Sequence, residues 1–483
     1  MGSLGSFKDR KVAVVGLGKS NQALTRYLHR EGADITCFDL RSEHLLGAVY
    51  EELNALGVGW CLGERYLLGL LGFDAVFLTP GMKKNQPMIN MVRRHGALIT
   101  TEIGLFLDRC KARVCGVTGT AGKTTTTTLL GMMLRESLPD RKVYVGGNIG
   151  EVLIEKVDSI AEDDLVVLEL SSFQLQLTHK SPGVALVLNV RPNHLDIHDS
   201  YDEYVDAKKN IYRTQGERDY CILNLDDPVT REMASECPGR TAFFSLSPDA
   251  ASHQLAAGHP IAWLQGEKLL AGSLPAADPR GSGEATLLAE TGEMLVPGRH
   301  NVANVLAASL GALMMGATPE GIGRAIRSFK GVEHRIEFVR ELRGVRYYND
   351  SKATSPDMTE ALLHAVAGPL TLILGGYDKG IPFDGLARTI VAKDCKVVTL
   401  GKTAPAIEEA LLKAGHERGV SVSSGRTPLI GRAATLQEAV SMAAAESKPG
   451  SSVVLSPACA SYDMFKDFEE RGRVFKALVA ELQ

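Results

Sequence analysis

Residues 116–134, GVTGTAGKTTTTTLLGMML, read as a strand end, a glycine-rich loop and the start of a helix. Backbone N–H groups in such a loop and at a helix N-terminus attract anionic oxygens. Lys123 is placed to meet the terminal phosphates of a nucleotide, and the Thr124 hydroxyl to take a divalent cation. The common template is G-x-x-x-x-G-K-[ST]. Here Val117 stands where its first glycine would be, and glycines fall at 116, 119 and 122. The strand run RVCGVT before the loop and the helical run after it supply the context that the mechanism requires. Gly119, Thr120, Gly122, Lys123, Thr124 and Thr125 therefore form the expected ATP cradle. The competing reading is a glycine turn before an ordinary helix whose lysine is solvated. Five consecutive threonines weaken it, because β-branched residues are mediocre helix formers.

Outward from this loop, glycine-punctuated strands and helices alternate along most of the chain, which predicts α/β architecture with parallel sheets. Three blocks stand out. The first contains KVAVVGLGKSNQALTRYLHREGADITCFD (11–39), with strands at Val12–Val15 and Ile35–Phe38 and a helix over Asn21–Arg30, and it closes near residue 102. The second carries the phosphate loop, strands at LVVLEL (165–170) and VALVLNV (184–190), a Gly/Pro/Ala-rich stretch over 271–293 expected as loops or short hairpins, and a long helix from near Asn301. The third follows SFKGVEHRIEF, with strands at VRYYND, LTLILGG, KVVTLG and SVVLSP. Ligands collect beyond the carboxyl ends of parallel strands. Glu169 ends one such strand, and His194 and Asp196 follow the next. A carboxylate and an imidazole there can join Thr124 around a divalent metal; the alternatives are a capping carboxylate and a satisfied loop histidine.

Composition narrows the function classes. The 483 residues are 45% hydrophobic and 23% charged, enough for several well-packed domains. A net charge of −4 argues against a nucleic-acid coat or a basic membrane anchor. The eight cysteines, at 37, 61, 110, 115, 221, 237, 395 and 459, form no C-x-x-C pair and read as reduced thiols of a cytoplasmic protein. No apolar run is long enough to span a bilayer, and the N-terminus lacks the apolar core of a signal peptide.

TGTAGKTTT, GGNIG, ELSSFQL, NHLDIH with YVDAKKNIY, RHNVANVLAA, HRIE, NDSKATSPD, LGGYDKG and LSPACASYDMFKDFEERG occur in that order. On these motifs the chain resembles the Mur ligases over nearly its whole length, and NDSKAT, LSPACAS and F-K-x-F-E-x-R-G point to the D-glutamate-adding branch. The resemblance implies three domains: a Rossmann-like domain over 1–102 that holds the UDP-linked substrate, a central P-loop-type ATPase domain over 103–331, and a Rossmann-like domain over 332–483 that receives the amino acid. It implies ATP-dependent addition of D-glutamate to UDP-N-acetylmuramoyl-L-alanine through an acyl phosphate, in peptidoglycan precursor synthesis. A cytoplasmic monomer that uses Mg²⁺, or Mn²⁺, and engages neither nucleic acid nor membrane is expected.

Site residues follow from the same motifs. Lys123 resembles the phosphate lysine, Thr124 the first-metal hydroxyl, Glu169 the carboxylate that bridges to magnesium and His194 the second-metal histidine. Asn148 resembles an asparagine near the reacting carboxylate. Lys208 matches a lysine that Mur ligases carry as a carbamate, an anionic metal ligand; the alternative is a solvated helix lysine like its neighbour Lys209. Asn301 and Asn304, three apart on one helix face, match adenine-side contacts, and Asn301 equally suits an N-cap. Arg335 and Asp350 resemble further ATP contacts. Lys352, Thr354, Lys379, Ser461 and Phe468 resemble the D-glutamate site. At 377–378 the family more often has an acidic residue directly after the two glycines; here Tyr377 comes first and Asp378 second. In the first block Gly18, Ser20, Asn21, Asp39, Thr79, Pro80 and Gly81 match the UDP-substrate site.

GLGKSN with Asp39 also resembles part of a dinucleotide fingerprint, but Asn21 stands where the third glycine would be. An NAD(P)-dependent oxidoreductase would leave the phosphate loop and NDSKAT unexplained. A diaminopimelate- or lysine-adding ligase usually shows D-N-P-R in its third domain, and none occurs here. A folate polyglutamate ligase is a further relative, and a non-catalytic nucleotide-binding assembly protein has no need of Lys123, Glu169, His194 and Lys208 together.

Overall fold

The computed structural model describes residues 4–195, 197–273, 285–366, 368–418 and 428–483; Asp196 and the middle of the Gly/Pro/Ala-rich stretch, 274–284, lie outside the described residues. Short, almost wholly buried runs of Val, Ile, Leu and Phe form strands that helices cover, as the composition of parallel sheets demands. The first sheet holds β1 (Lys11–Val15), β2 (Asp34–Asp39), β3 (Gly59–Leu62), β4 (Ala75–Leu78) and β5 (Leu98–Thr100), parallel throughout in the order β3-β2-β1-β4-β5. The chain reverses direction across the sheet between β1 and β4, which opens a crevice above the helix Lys19–Arg30.

The second sheet comprises β6 (Arg113–Thr118), β7 (Val143–Gly147), β8 (Leu165–Glu169), β9 (Val184–Val187), β10 (Tyr220–Asn224), β11 (Arg240–Ser245), β12 (Ile261–Gln265), β13 (Lys268–Gly272) and β14 (Thr286–Glu290). Its order is β14-β13-β12-β11-β10-β9-β6-β8-β7, parallel except that β13 runs antiparallel to both its neighbours, β12 and β14. Strand β9 is shorter than the run VALVLNV: pairing stops at Val187 because the chain from Asn189 onward turns to brace the phosphate loop. The third sheet holds β15 (Glu337–Leu342), β16 (Val345–Asn349), β17 (Leu370–Leu374), β18 (Lys396–Thr399), β19 (Leu429–Arg432) and β20 (Ser452–Leu455) in the order β15-β16-β20-β17-β18-β19, parallel except for the β15–β16 hairpin.

The chain divides into two compact units. The first comprises Met1–Gly292 with Ala303–Ile326 and carries the first two sheets; the second comprises Glu293–Val302 with Arg327–Gln483 and carries the third. In the first unit one apolar core runs from Phe7, Val12 and Phe77 to Val166, Leu168 and Val187. In the second unit Leu372 and Val454 belong to one core cluster and Val398 and Phe475 to another. Among the described residues no helix is long and apolar enough to cross a membrane.

Candidate active site

The phosphate loop joins β6 to the helix Lys123–Ser137. Gly122, the helix N-cap, has φ +85, and a Cβ there would overlap Asn304 Oδ1, so both its backbone and its neighbour require glycine. No side chain caps this helix, which leaves its first N–H groups to a ligand. The loop is held from outside by Asn189: its Oδ1 accepts from Ala121 N at 3.0 Å, and its Nδ2 donates to Ala121 O at 3.0 Å. Thr120 Oγ1 lies 2.9 Å from the Tyr204 hydroxyl and accepts from Arg191 N at 2.9 Å. Lys123 Nζ folds back to donate to Gly119 O at 3.0 Å and Thr120 O at 3.1 Å, within the cradle where phosphate oxygens would be received.

The strand order sets β7, β8, β6 and β9 side by side, so their carboxyl ends meet around this loop. Glu169, which ends β8, is 2% exposed. Asn148 follows β7; its N donates to Glu169 O at 2.8 Å and its Nδ2 to Glu169 Oε1 at 2.9 Å. Glu169 Oε2 is buried with no hydrogen-bond partner, a carboxylate oxygen set up to receive a cation or donor. Lys208, in the last turn of the helix Tyr201–Lys209, is 1% exposed and donates to Gly119 O at 2.9 Å. Burial, with the nearby Lys123 charge, pulls its ammonium down to about 7. The reading of Lys208 as a solvated helix lysine is thereby excluded; Lys209, paired with Glu236 at 2.7 Å, is the outward one.

His194 is exposed at φ +57, with its ring 5.0 Å from Phe173 and 6.4 Å from Tyr204. Lys208 Nζ lies 4.6 Å from the same Tyr204 ring. Tyr204, the first residue of YVDAKKNIY, thus gathers His194, Lys208 and Thr120 on one side chain. His198 ends the motif NHLDIH. It is buried, bonded to Ser172 Oγ at 3.0 Å and stacked on Phe173, and burial lowers its pKa. Among the described residues no three His, Cys, Asp or Glu side chains cluster as a ready-made metal site. The oxygen donors present suit Mg²⁺, which keeps several waters and binds through one or two carboxylates and substrate phosphates.

In the first sheet, Gly16 has φ +79 and a Cβ there would overlap Thr79, which locks the two loop ends against each other. Asn21 Nδ2 donates to Val15 O at 3.0 Å and Gly16 O at 2.8 Å. Asp39 Oδ2 accepts from Leu17 N at 2.7 Å, and Arg41 donates to both carboxylate oxygens at 2.9 Å. Asn21 and Asp39 therefore commit these polar atoms to the loop, whereas Gly18, the N-cap of the helix Lys19–Arg30, leaves that helix end uncapped by any side chain. The side chain that holds the loop after β4 is Lys84, which is buried and donates to Thr79 O at 3.1 Å, Met82 O at 2.6 Å and Pro80 O at 2.5 Å; burial pulls it down to about 8.

The second unit gathers its own group at the carboxyl ends of β16, β20 and β17. Lys352 Nζ lies 5.9 Å from the Phe468 ring, and Ser351 Oγ donates to Phe468 O at 2.8 Å. Thr354 and Lys379 line one small cavity together with Tyr377, Asp378, Phe383 and Thr403. Ser461 is buried next to Ala460, whose carbonyl accepts from Tyr377 N at 2.9 Å. Asp378 Oδ1 caps its own turn by accepting from Gly380 N at 2.7 Å, and Tyr377 packs edge-on against Tyr462. Asp350 is buried and accepts from Ser456 Oγ at 2.8 Å and Ile336 N at 3.2 Å; burial raises it to about 7. Arg335 is exposed. Asn301 is the third residue of the helix Arg299–Met314, so it is not that helix's N-cap; its Nδ2 donates to Pro297 O at 2.6 Å.

Three family descriptions match successive parts of the chain: the Mur ligase MurD-like N-terminal domain over 10–101, the Mur ligase middle domain over 117–312 and the Mur ligase glutamate ligase domain over 334–459. The chain is 47% identical over 474 residues to the UDP-N-acetylmuramoylalanine--D-glutamate ligase of Symbiobacterium thermophilum, covering 98% of each. The chain belongs to the Mur ligase family. It is also 42% identical to the corresponding ligase of Acetivibrio thermocellus, over 99% of this chain and 97% of that one. Among solved structures, the MurC of Thermotoga maritima superposes with a TM-score of 0.51 at 19% identity, covering 98% of this chain and 99% of that one, a likeness of fold. A three-domain Mur ligase accounts for the three sheets and for the order of the motifs along them.

Proposed function

We propose that this Mur ligase adds D-glutamate to UDP-N-acetylmuramoyl-L-alanine, with cleavage of ATP to ADP and phosphate. The observation that carries the reading is the convergence of Lys123 and Lys208 on the Gly119 carbonyl, in a sheet whose neighbouring strand ends present the Asn148–Glu169 pair. Amide formation from a carboxylate and an amine is uphill in water. A carboxylate oxygen of the alanyl group attacks the γ-phosphorus, and the bond to ADP breaks. The amine of D-glutamate then attacks the acyl carbon, loses its proton, and phosphate leaves with the electron pair of the C–O bond.

The chain's task is to hold anions together and keep water out. Gly119, Thr120, Gly122 and the N–H groups of Lys123, Thr124 and Thr125 cradle the phosphates. Lys123 leaves its carbonyl partners to follow the transferring phosphoryl group, and Asn148 orients Glu169. Asn301, Asn304, Arg335 and Asp350 serve the nucleotide. Lys352, Thr354, Lys379, Ser461 and Phe468 serve D-glutamate, whose two carboxylates suit lysine and hydroxyl donors. Gly18, Ser20, Thr79, Pro80 and Gly81 hold the UDP group, with Asn21 and Asp39 acting through the loop they brace. The corresponding domains span 1–102, 103–331 and 332–483. The enzyme works as a monomer in the cytoplasm, where ATP and UDP-linked precursors are available.

Thr124, Glu169, His194 and a carbamate on Lys208 would hold Mg²⁺, or Mn²⁺, which when bound neutralises phosphate charge. The buried, unpartnered Glu169 Oε2 supports this donor set. A lysine whose burial favours the neutral amine is the form that adds CO₂, with loss of one proton and gain of a negative charge. The test is phosphate release with UDP-N-acetylmuramoyl-L-alanine and each amino acid offered in turn. Release that requires D-glutamate supports the reading; release with L-lysine or diaminopimelate in its place overturns it.

A further inference from the structure

Arg471, in the first turn of the helix Phe468–Glu481, is 2% exposed. Its Nε donates to Ser351 Oγ at 3.0 Å, Nη1 to Ala460 O at 3.2 Å, and Nη2 to Ser351 O at 2.8 Å and Cys459 O at 3.1 Å. A Cβ on Gly376 would come within 3.2 Å of Nη1, so the backbone after β17 packs directly on the guanidinium. One planar group therefore touches the segments that follow β16, β20 and β17, three neighbouring strands of the third sheet. Each segment carries a residue assigned above to D-glutamate: Lys352 follows Ser351, Ser461 follows Ala460, and Lys379 lies three beyond Gly376.

The placement is costly for the fold alone. A cation in the first turn of a helix opposes the helix dipole. Among the described residues no carboxylate oxygen lies within 4.0 Å of this guanidinium in an ion pair. Burial accordingly lowers its pKa to about 10, which still leaves it charged at neutral pH. What the arginine supplies in return is a fork of donors to buried acceptors on two of these segments, which no apolar side chain of similar volume can satisfy.

We propose that Arg471 is the positioning residue of the amino-acid site: it fixes the three segments in register, and its unpaired charge biases the site toward a dicarboxylate amino acid. The inference rests on the reading of this site as the D-glutamate site. A lysine at 471 keeps the charge but loses the planar fork, and methionine loses both.

Initial rates of phosphate release test it, with KM measured separately for D-glutamate, ATP and the UDP-linked substrate in wild type, Arg471→Lys, Arg471→Met and a Lys352→Ala control. The expected KM for D-glutamate rises about tenfold in Arg471→Lys and further in Arg471→Met, while the other two KM values and kcat stay within about threefold. Should Arg471→Met fail to fold, Arg471→Lys decides alone. An unchanged D-glutamate KM in a folded Arg471 variant, or an equal rise in all three KM values, overturns the proposal while a raised D-glutamate KM in Lys352→Ala keeps the site reading. An unchanged D-glutamate KM in Lys352→Ala removes the site reading and the proposal with it.

Discussion

Replacement of Lys208 by methionine should abolish ligation and at the same time stabilise the ligand-free protein. Methionine keeps most of the volume of the lysine stem and introduces no charge. The native pKa is about 7 against an ordinary 10.5, the shift arising from burial first and from Lys123 second. Below pH 7 both folded and unfolded chains hold the proton, and the fold carries the full cost of a buried ammonium. Between pH 7 and 10.5 the unfolded chain binds more protons than the folded one, so stability rises with pH; above 10.5 the penalty is gone. At 1.36 kcal/mol per pKa unit, the cost at pH 7 is about 4 kcal/mol, and about 2 kcal/mol of it is recovered by pH 9. Denaturant melts of wild type and Lys208→Met at pH 7 and pH 9, in buffer freed of CO₂, check this. The wild type should gain about 2 kcal/mol more than the variant over that interval. Equal gains would refute the argument, because Lys208 would then not be a buried amine in the native state. Activity supplies the second arm: Lys208→Ala should be nearly inactive, with partial recovery by formate or acetate in the vacated space, and full activity would return Lys208 to a purely structural role.

Lys209→Ala, one residue on, should lose less than about 1 kcal/mol and little activity, since it removes only a partly exposed pair with Glu236; denaturant melts and phosphate release measure both. Lys123→Ala should abolish turnover while UDP-substrate binding, read by calorimetry, is retained, because the proposed UDP site lies in the first sheet. Gly122→Ala should reduce ATP affinity and cost about 1–2 kcal/mol, since φ +85 strains any Cβ and Asn304 Oδ1 occupies its place; nucleotide titration and thermal melts would show it.

The α/β architecture, the strand–loop–helix at 113–134 and most strands around the site were legible in the residues alone. Short buried apolar runs punctuated by glycine are local signals, and the phosphate loop needs only residues adjacent in the chain. The motifs also ordered the candidate residues along it. Only the folded chain shows where each of them points. That Lys208 points inward and Lys209 outward follows from how their helix packs against the Gly119 loop, and both residues look alike in the sequence. Asn21 Nδ2 holds the carbonyls of Val15 and Gly16 and Asp39 Oδ2 the Leu17 amide, while Asn21 Oδ1 is left without a partner, none of which the residue types announce. Arg471 lies in F-K-x-F-E-x-R-G and Tyr204 opens YVDAKKNIY, yet neither motif shows that they brace loops, because their partners are backbone carbonyls and hydroxyls far along the chain, 120 residues away for Arg471 and Ser351. A backbone carbonyl has no residue type to read, so only the folded chain shows which side chain it holds.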